Sequence, residues 1–128
     1  MIENNAPDLS IVIPAYNEAE ALPNTLNIIY GELKANSISH EILVVNDNSS
    51  DNTIEVLESL KIKIPTLRFI TNKPPNGYGF AVRKGLENFS GNAVVVVMAD
   101  ASDTPSDIVK YYKTWKSKNL DCVFGSRF

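Results

Sequence analysis

The chain has 128 residues, 44% hydrophobic and 21% charged, the size and make-up of one globular domain, which excludes a disordered or collagen-like chain. Its 15 acidic and 12 basic residues leave a net charge of −3, so the chain as a whole offers no electrostatic footprint for nucleic acid. The longest apolar run, residues 93–99, is far shorter than the roughly 18 residues of a membrane-spanning helix. The start of the chain lacks the basic and apolar regions of a signal peptide. The single cysteine, Cys122, cannot close an internal disulfide, as expected of a reducing, cytoplasmic setting.

Residues 1–8 read as a flexible tail and 9–128 as one domain. The first strand is predicted over 9–14. Asn17, with Glu20 three residues on, has the pattern of a helix cap, and Leu22, Leu26, Ile29 and Leu33 then share a face. His40 reads as a surface residue before a second strand over 41–46. Asn52 with Glu55 opens a second helix carrying Ile54, Leu57 and Leu60, and a third strand follows over 67–71. The third helix comes after Gly77 and Gly79 and has the stripe Val82, Leu86, Phe89. A fourth strand over 93–99 is apolar at every position, which predicts burial on both faces. Thr104, Pro105 and Asp107 open a fourth helix with the face Ile108, Tyr112, Trp115; Lys110, Lys113, Lys116 and Lys118 form its solvated side. A fifth strand is predicted over 121–125. This alternation predicts an α/β fold, a three-layer α/β/α sandwich around a mostly parallel sheet.

In open parallel sheets, ligands bind outside the carboxyl ends of the strands. Pro14-Ala15-Tyr16-Asn17-Glu18 follows the first strand, Asp47-Asn48-Ser49-Ser50-Asp51 the second, and Asp100-Ala101-Ser102-Asp103 the fourth. Singly, such residues suit caps and turns; carboxylates leaving three strands at one edge point to a site. Asp100 and Asp103 repel in so tight a turn unless a cation lies between them. Hard oxygen ligands suit Mg²⁺ or Mn²⁺, with positions left for water and a phosphorylated substrate, so a diphosphate ligand is expected. Tyr16 can lie against a base, and Glu18 and Asp47 can accept hydrogen bonds from ring nitrogens or ribose hydroxyls. Asn76-Gly77-Tyr78-Gly79 can bring backbone amides near phosphate. Val82 replaces the third glycine of a dinucleotide fingerprint, which disfavours a nicotinamide enzyme.

The segments Ile11-Val12-Ile13-Pro14-Ala15-Tyr16-Asn17-Glu18, Val44-Val45-Asn46-Asp47-Asn48-Ser49-Ser50-Asp51, Asn76-Gly77-Tyr78-Gly79 through Gly85, and Val97-Met98-Ala99-Asp100-Ala101-Ser102-Asp103 together resemble the ordered signature of family 2 glycosyltransferases. The closing Gly125-Ser126-Arg127-Phe128 is similar to a segment of the dolichyl-phosphate mannose synthase branch. The resemblance implies the Rossmann-like, nucleotide-binding half of a GT-A fold. It also implies inverting, metal-dependent transfer of a sugar from a UDP- or GDP-linked donor to a polyprenyl phosphate or a cell-envelope glycan. Carried over by position, Pro14, Ala15, Tyr16, Glu18, Asp47 and Asp100 would contact the nucleotide, Asp100 and Asp103 the metal, and Arg127 phosphate. Arg83 and Lys84 are either a further phosphate contact or a solvent-facing pair.

Two departures from the family pattern stand out. The aspartates of the metal motif are separated by two residues instead of one, which leaves open which of them holds the metal. Asn46 stands where an aspartate is usual, and an asparagine there can still hydrogen-bond the loop. The resemblance also implies a catalytic base and acceptor surface beyond Phe128, so the chain reads as a donor-binding part, truncated at its C-terminus. The parent is then expected at the cytoplasmic face of a membrane. Two other readings compete: a domain that binds a nucleotide sugar without turnover, and a phosphoacceptor signalling domain, whose lysine after the fifth strand would be Arg127 here.

Overall fold

A computed structural model of the chain describes residues 6–99 and 105–118. The elements run β1 (Leu9–Ala15), α1 (Leu22–Ala35), β2 (His40–Asn46), α2 (Thr53–Lys63), β3 (Leu67–Thr71), α3 (Tyr78–Asn88), β4 (Ala93–Val96) and α4 (Pro105–Lys118). The strands form one parallel sheet in the order β3-β2-β1-β4, with Ile11 beside both Ile42 and Val95. Two crossovers step outward from β1 to β3, and α3 then carries the chain back to the far side of β1. The winding therefore reverses between β1 and β4, and a crevice is expected at the carboxyl ends of those strands.

Side chains alternate between the two faces of each strand, and both faces are covered. Ile11, Ile13, Ile42 and Val44 pack with Leu22, Leu26, Ile29 and Leu33 of α1, Leu57 and Leu60 of α2, and Ile108 and Tyr112 of α4. On the opposite face Val12, Leu43 and Val45 meet Ala81 of α3. These are the three α/β/α layers that the alternation of strands and helices predicts.

Several local expectations are corrected. β4 is covered on both faces as its run predicts, Ala93 and Val95 against one core and Val94 and Val96 against the other, but its four residues are only half-buried and it has one neighbouring strand among the described residues; the strand buried along its whole length is β1, which pairs on both sides. An all-apolar run permits coverage of both faces without fixing where in the sheet the strand lies. The predicted fifth strand, 121–125, lies outside the described residues. Asn17 does not cap α1: that helix starts at Leu22 after Ala21, and Asn17 sits in the left-handed region at φ 53°. At α2, Asn52 makes no side-chain cap; Asp51 accepts from the Thr53 N–H at 3.0 Å instead. Ile54 is exposed, and Thr53 joins Leu57 and Leu60 inside.

On α3 the expected stripe holds at Phe89, which packs against the core at the helix end, while small residues take over the rest of that face. Leu86 is exposed, while Ala81 and Gly85 face the sheet. A Cβ on Gly85 would lie 2.4 Å from Val12 Cγ1 and 3.3 Å from Val45 Cγ2, so α3 rests on β1 and β2 almost backbone to side chain. His40 opens β2 half-buried, its ring between the Ile38 carbonyl and the Thr66 hydroxyl. The end of the predicted tail is tied down: the Pro7 and Asp8 carbonyls accept from the Asn92 and Ala93 N–H groups, and the Asp8 carboxylate accepts from Tyr112 at 2.8 Å.

At the amino end of the sheet, away from the crevice, Glu41 is buried and fully engaged. It accepts from Ser10 Oγ at 2.5 Å, the Ser90 N–H at 2.6 Å and Arg68 Nε at 2.8 Å. Burial alone would raise its pKa, but the Arg68, Ser10 and Ser90 donors outweigh it and hold the carboxyl at about 2, below its usual 4.5. A value depressed in the folded state gives stability that is full above pH 4.5 and is withdrawn as pH falls toward 2. Urea midpoints across that range should fall more steeply for the wild type than for Glu41→Gln, with the two curves converging at the acid end. Parallel curves would remove Glu41 as a source of the acid sensitivity.

Candidate functional site

The carboxyl ends of β1, β2 and the β4 segment enclose a cavity of about 160 Å³. Its lining includes Pro14 and Ala15 from β1, Tyr16 and Glu18 just after it, and Asp47 after β2. The structure thus brings five of the residues singled out in the sequence into one place, next to the reversal of winding. Tyr78, Ala81, Met98 and Ala99 complete the lining and are not marked as site residues by the sequence.

Asp47 forms the polar floor. It is 5% exposed; its N–H donates to the Ala15 carbonyl at 2.8 Å, which ties the ends of β2 and β1 together. Its carboxylate accepts from Asn72 Nδ2 at 2.9 Å and from the Gly77 N–H at 2.8 Å, one bond on each oxygen. A carboxylate oxygen has two lone pairs, so each keeps one for an incoming N–H or O–H. Tyr16 and Tyr78, each 55% exposed, present aromatic surface at the cavity. Gly77, at φ 135°, holds a backbone conformation that glycine adopts without a Cβ penalty, and the Asp47 bond fixes it there. Its amide, expected from the sequence to face phosphate, is already used by Asp47; the following turn of α3 borders the cavity through Tyr78 and Ala81.

The loops around the cavity are stitched by short polar side chains. Asn17 Oδ1 accepts from the Ser50 and Asp51 N–H groups at 2.7 and 3.2 Å, and its own N–H donates to Ser49 Oγ at 3.0 Å. Asn46, in the place of the usual aspartate, does hydrogen-bond the loop: its Oδ1 accepts from the Ser49 N–H at 3.1 Å. Asp51 receives the Thr53 hydroxyl and the Ala19 N–H, and the hydrogen bond from Thr53 is the main reason its pKa lies below the ordinary aspartate value. Thr25 Oγ1 donates to the Ala99 carbonyl at 2.8 Å, which anchors the chain just before Asp100 to α1.

Arg83 and Lys84 do not line this cavity. With Lys73, Thr71 and Asn72 they line a separate groove of about 450 Å³, where Arg83 pairs with Glu87 at 3.3 Å. Asp100, Asp103 and Arg127 lie outside the described residues. Among the described residues no cluster of three or more His, Cys, Asp or Glu could hold a metal ion. The cavity is acidic through Glu18 and Asp47. It therefore suits the uncharged, N–H-bearing part of a nucleotide better than its phosphates, which need a cation close by.

Asn72 and Tyr78 are the residues that sequence reasoning misses. A signal for Asn72 exists, since it stands one residue past β3, at a carboxyl strand end like those that point to Tyr16 and Asp47. Tyr78 carries no such mark, being one aromatic residue in a glycine segment.

Comparison with known proteins agrees with this geometry. The chain is 37% identical over 129 residues to dolichyl-phosphate beta-glucosyltransferase ALG5A of Trichomonas vaginalis, covering 93% of this chain and 40% of the relative. It is 34% identical over 120 residues to a dolichol-phosphate mannosyltransferase of Pyrococcus furiosus, covering 94% and 33%. It spans well under half the length of either. The structure superposes on the mannosyltransferase PcManGT of Pyrobaculum calidifontis, solved with GDP-Man and Mn2+, with a TM-score of 0.66 and 26% identity over 74% of this chain and 28% of that one. The model for glycosyl transferase family 2 matches residues 10–128, from β1 through every motif described above, and the chain belongs to that family.

Proposed function

We propose that this chain is the donor-binding part of a glycosyltransferase that moves a sugar from a UDP- or GDP-linked donor to a polyprenyl phosphate or a cell-envelope glycan, with inversion. The observation that carries the reading is the cavity at the reversal of winding, with the buried Asp47 carboxylate at its floor and Tyr16 and Tyr78 at its sides. A nucleobase is flat, with N–H donors on its edge; aromatic side chains can cover its face while Asp47 accepts from the edge. Pro14, Ala15 and Glu18 then complete the nucleoside contacts, with Glu18 near ribose hydroxyls. The dolichyl-phosphate and dolichol-phosphate in the names of two relatives support a lipid-phosphate acceptor, and the cytoplasmic face of a membrane is the proposed place of the reaction. No helix among the described residues is itself long and apolar enough to cross one.

Mg²⁺ or Mn²⁺ is proposed as the cofactor, held through Asp100 and Asp103, and the Mn2+ in the solved mannosyltransferase supports that choice. When bound, a divalent ion would offset the diphosphate charge and stabilise it as leaving group. Arg127, and at longer range Arg83 and Lys84, are proposed phosphate contacts.

The test is calorimetric titration of UDP- and GDP-sugars into the chain with Mn²⁺, with Mg²⁺, and with neither. One nucleotide series should bind only with metal, and Asp100→Ala should abolish that metal-dependent binding. No binding of either series in any condition would sink the reading.

A further inference from the structure

Asn72 lies in none of the motifs that point to the site, yet it joins the parts of the cavity. It is buried one residue beyond β3, and its N–H donates to the Asn46 carbonyl at 2.8 Å. Its side-chain amide donates to Asp47 Oδ1 at 2.9 Å and to the Pro75 carbonyl at 3.3 Å. Asp47 Oδ2 in turn accepts from Gly77, the residue before Tyr78. The path from Pro75 through Asn72 and Asp47 to Gly77 thus links the ends of β2 and β3 to the first turn of α3. Both hydrogens of the Asn72 amide are used. Among the described residues, Asn72 is the side chain that donates to Asp47.

We infer that Asn72 is a positioning residue for nucleotide recognition: it fixes the rotamer of Asp47 and, through Gly77, the place of the Tyr78 wall before the ligand arrives. The inference rests on the reading that this cavity takes the donor's base. A carboxylate held in one rotamer, with one lone pair left on each oxygen, spares the ligand the cost of ordering it. Without the amide, Asp47 can rotate away, and the Gly77 N–H loses its acceptor.

The decisive variant is Asn72→Asp, which sets a second carboxylate against Asp47. Two carboxylates at hydrogen-bond distance do not both ionise without repulsion, whereas one shared proton restores an O–H···O bridge. UDP and GDP binding would be titrated with metal at several pH values, alongside the wild type, whose profile carries whatever Glu18 and the tyrosines of the cavity and Lys73 of the neighbouring groove contribute. In parallel, the Gly77 amide resonance would be followed by NMR without ligand. Asn72→Asp should bind about tenfold or more weakly at neutral pH and regain affinity on acidification, with the Gly77 resonance moving over the same range and along a different pH profile from that of the wild type. Asn72→Ala should bind weakly at every pH while melting cooperatively. If Asn72→Ala fails to fold, the Asn72→Asp profile decides alone.

Wild-type affinity in Asn72→Asp at all pH values, or a Gly77 resonance that ignores pH or keeps the wild-type profile in that variant, overturns the inference. Should the wild type bind neither nucleotide, the functional reading fails, and the Gly77 resonance still decides whether Asn72 positions Asp47.

Discussion

Asp47→Ala is expected to lower UDP or GDP affinity by about 10- to 100-fold, the equivalent of one charge-assisted hydrogen bond of roughly 1.5–3 kcal/mol. The substitution removes the acceptor at the cavity floor and frees two donors, Asn72 Nδ2 and the Gly77 N–H, which Asp47 holds at 2.9 and 2.8 Å. Asp47→Asn is the informative companion. It keeps the shape, but one of its two polar atoms becomes an NH₂ group, which must face one of two existing donors. It should therefore rescue little, unlike an isostere at a site that needs only shape. Calorimetry reads the affinity, and thermal melting separates lost binding from lost fold. Full affinity in Asp47→Ala would remove this residue from the site.

Gly85→Ala should destabilise the fold. The added Cβ would stand 2.4 Å from Val12 Cγ1, a distance no carbon pair tolerates. Val12 is fully buried between the sheet and α3, so the helix must lift or the side chain must leave its rotamer. Overpacking of this kind costs about 1–3 kcal/mol, which at about 4 °C per kcal/mol lowers the melting temperature by roughly 4–12 °C. Val12→Ala alone leaves a small void and also destabilises. The pair Gly85→Ala with Val12→Ala should be more stable than the sum of the two single losses, because the new methyl occupies the vacated space. Strict additivity of the two losses would show that Gly85 does not set the approach of α3 to β1.

Much of the architecture is legible from local pattern. The first three strands lie where their apolar runs stand, and α4 begins at Pro105 with Ile108 and Tyr112 inward, because hydrophobic period and a proline start are properties of a few neighbouring residues. Pro14, Ala15, Tyr16, Glu18 and Asp47 meet in one cavity because each follows a parallel strand, and parallel strands end on one edge. The failures share a cause. Asn17 looks like a helix cap but serves the β2–α2 loop, 34 residues away at Asp51. On α3, Val82 and Leu86 offer the expected stripe, but Ala81 and Gly85 make the contact because the helix lies too close for larger groups.

By itself, the sequence determined the order of the elements, the α/β layering, the family signature and the polar residues at the ends of β1 and β2, since these depend on spacing along the chain. The tertiary structure decided what depends on strand order: β1 as the strand paired on both sides, the cavity beside the β1–β4 reversal, and Arg83 and Lys84 turned to a separate groove. It also decided that Asn72, 25 residues from Asp47, holds the carboxylate at the cavity floor. A pairing across that distance is set by which strands lie side by side, and periodicity within any one segment carries no record of it.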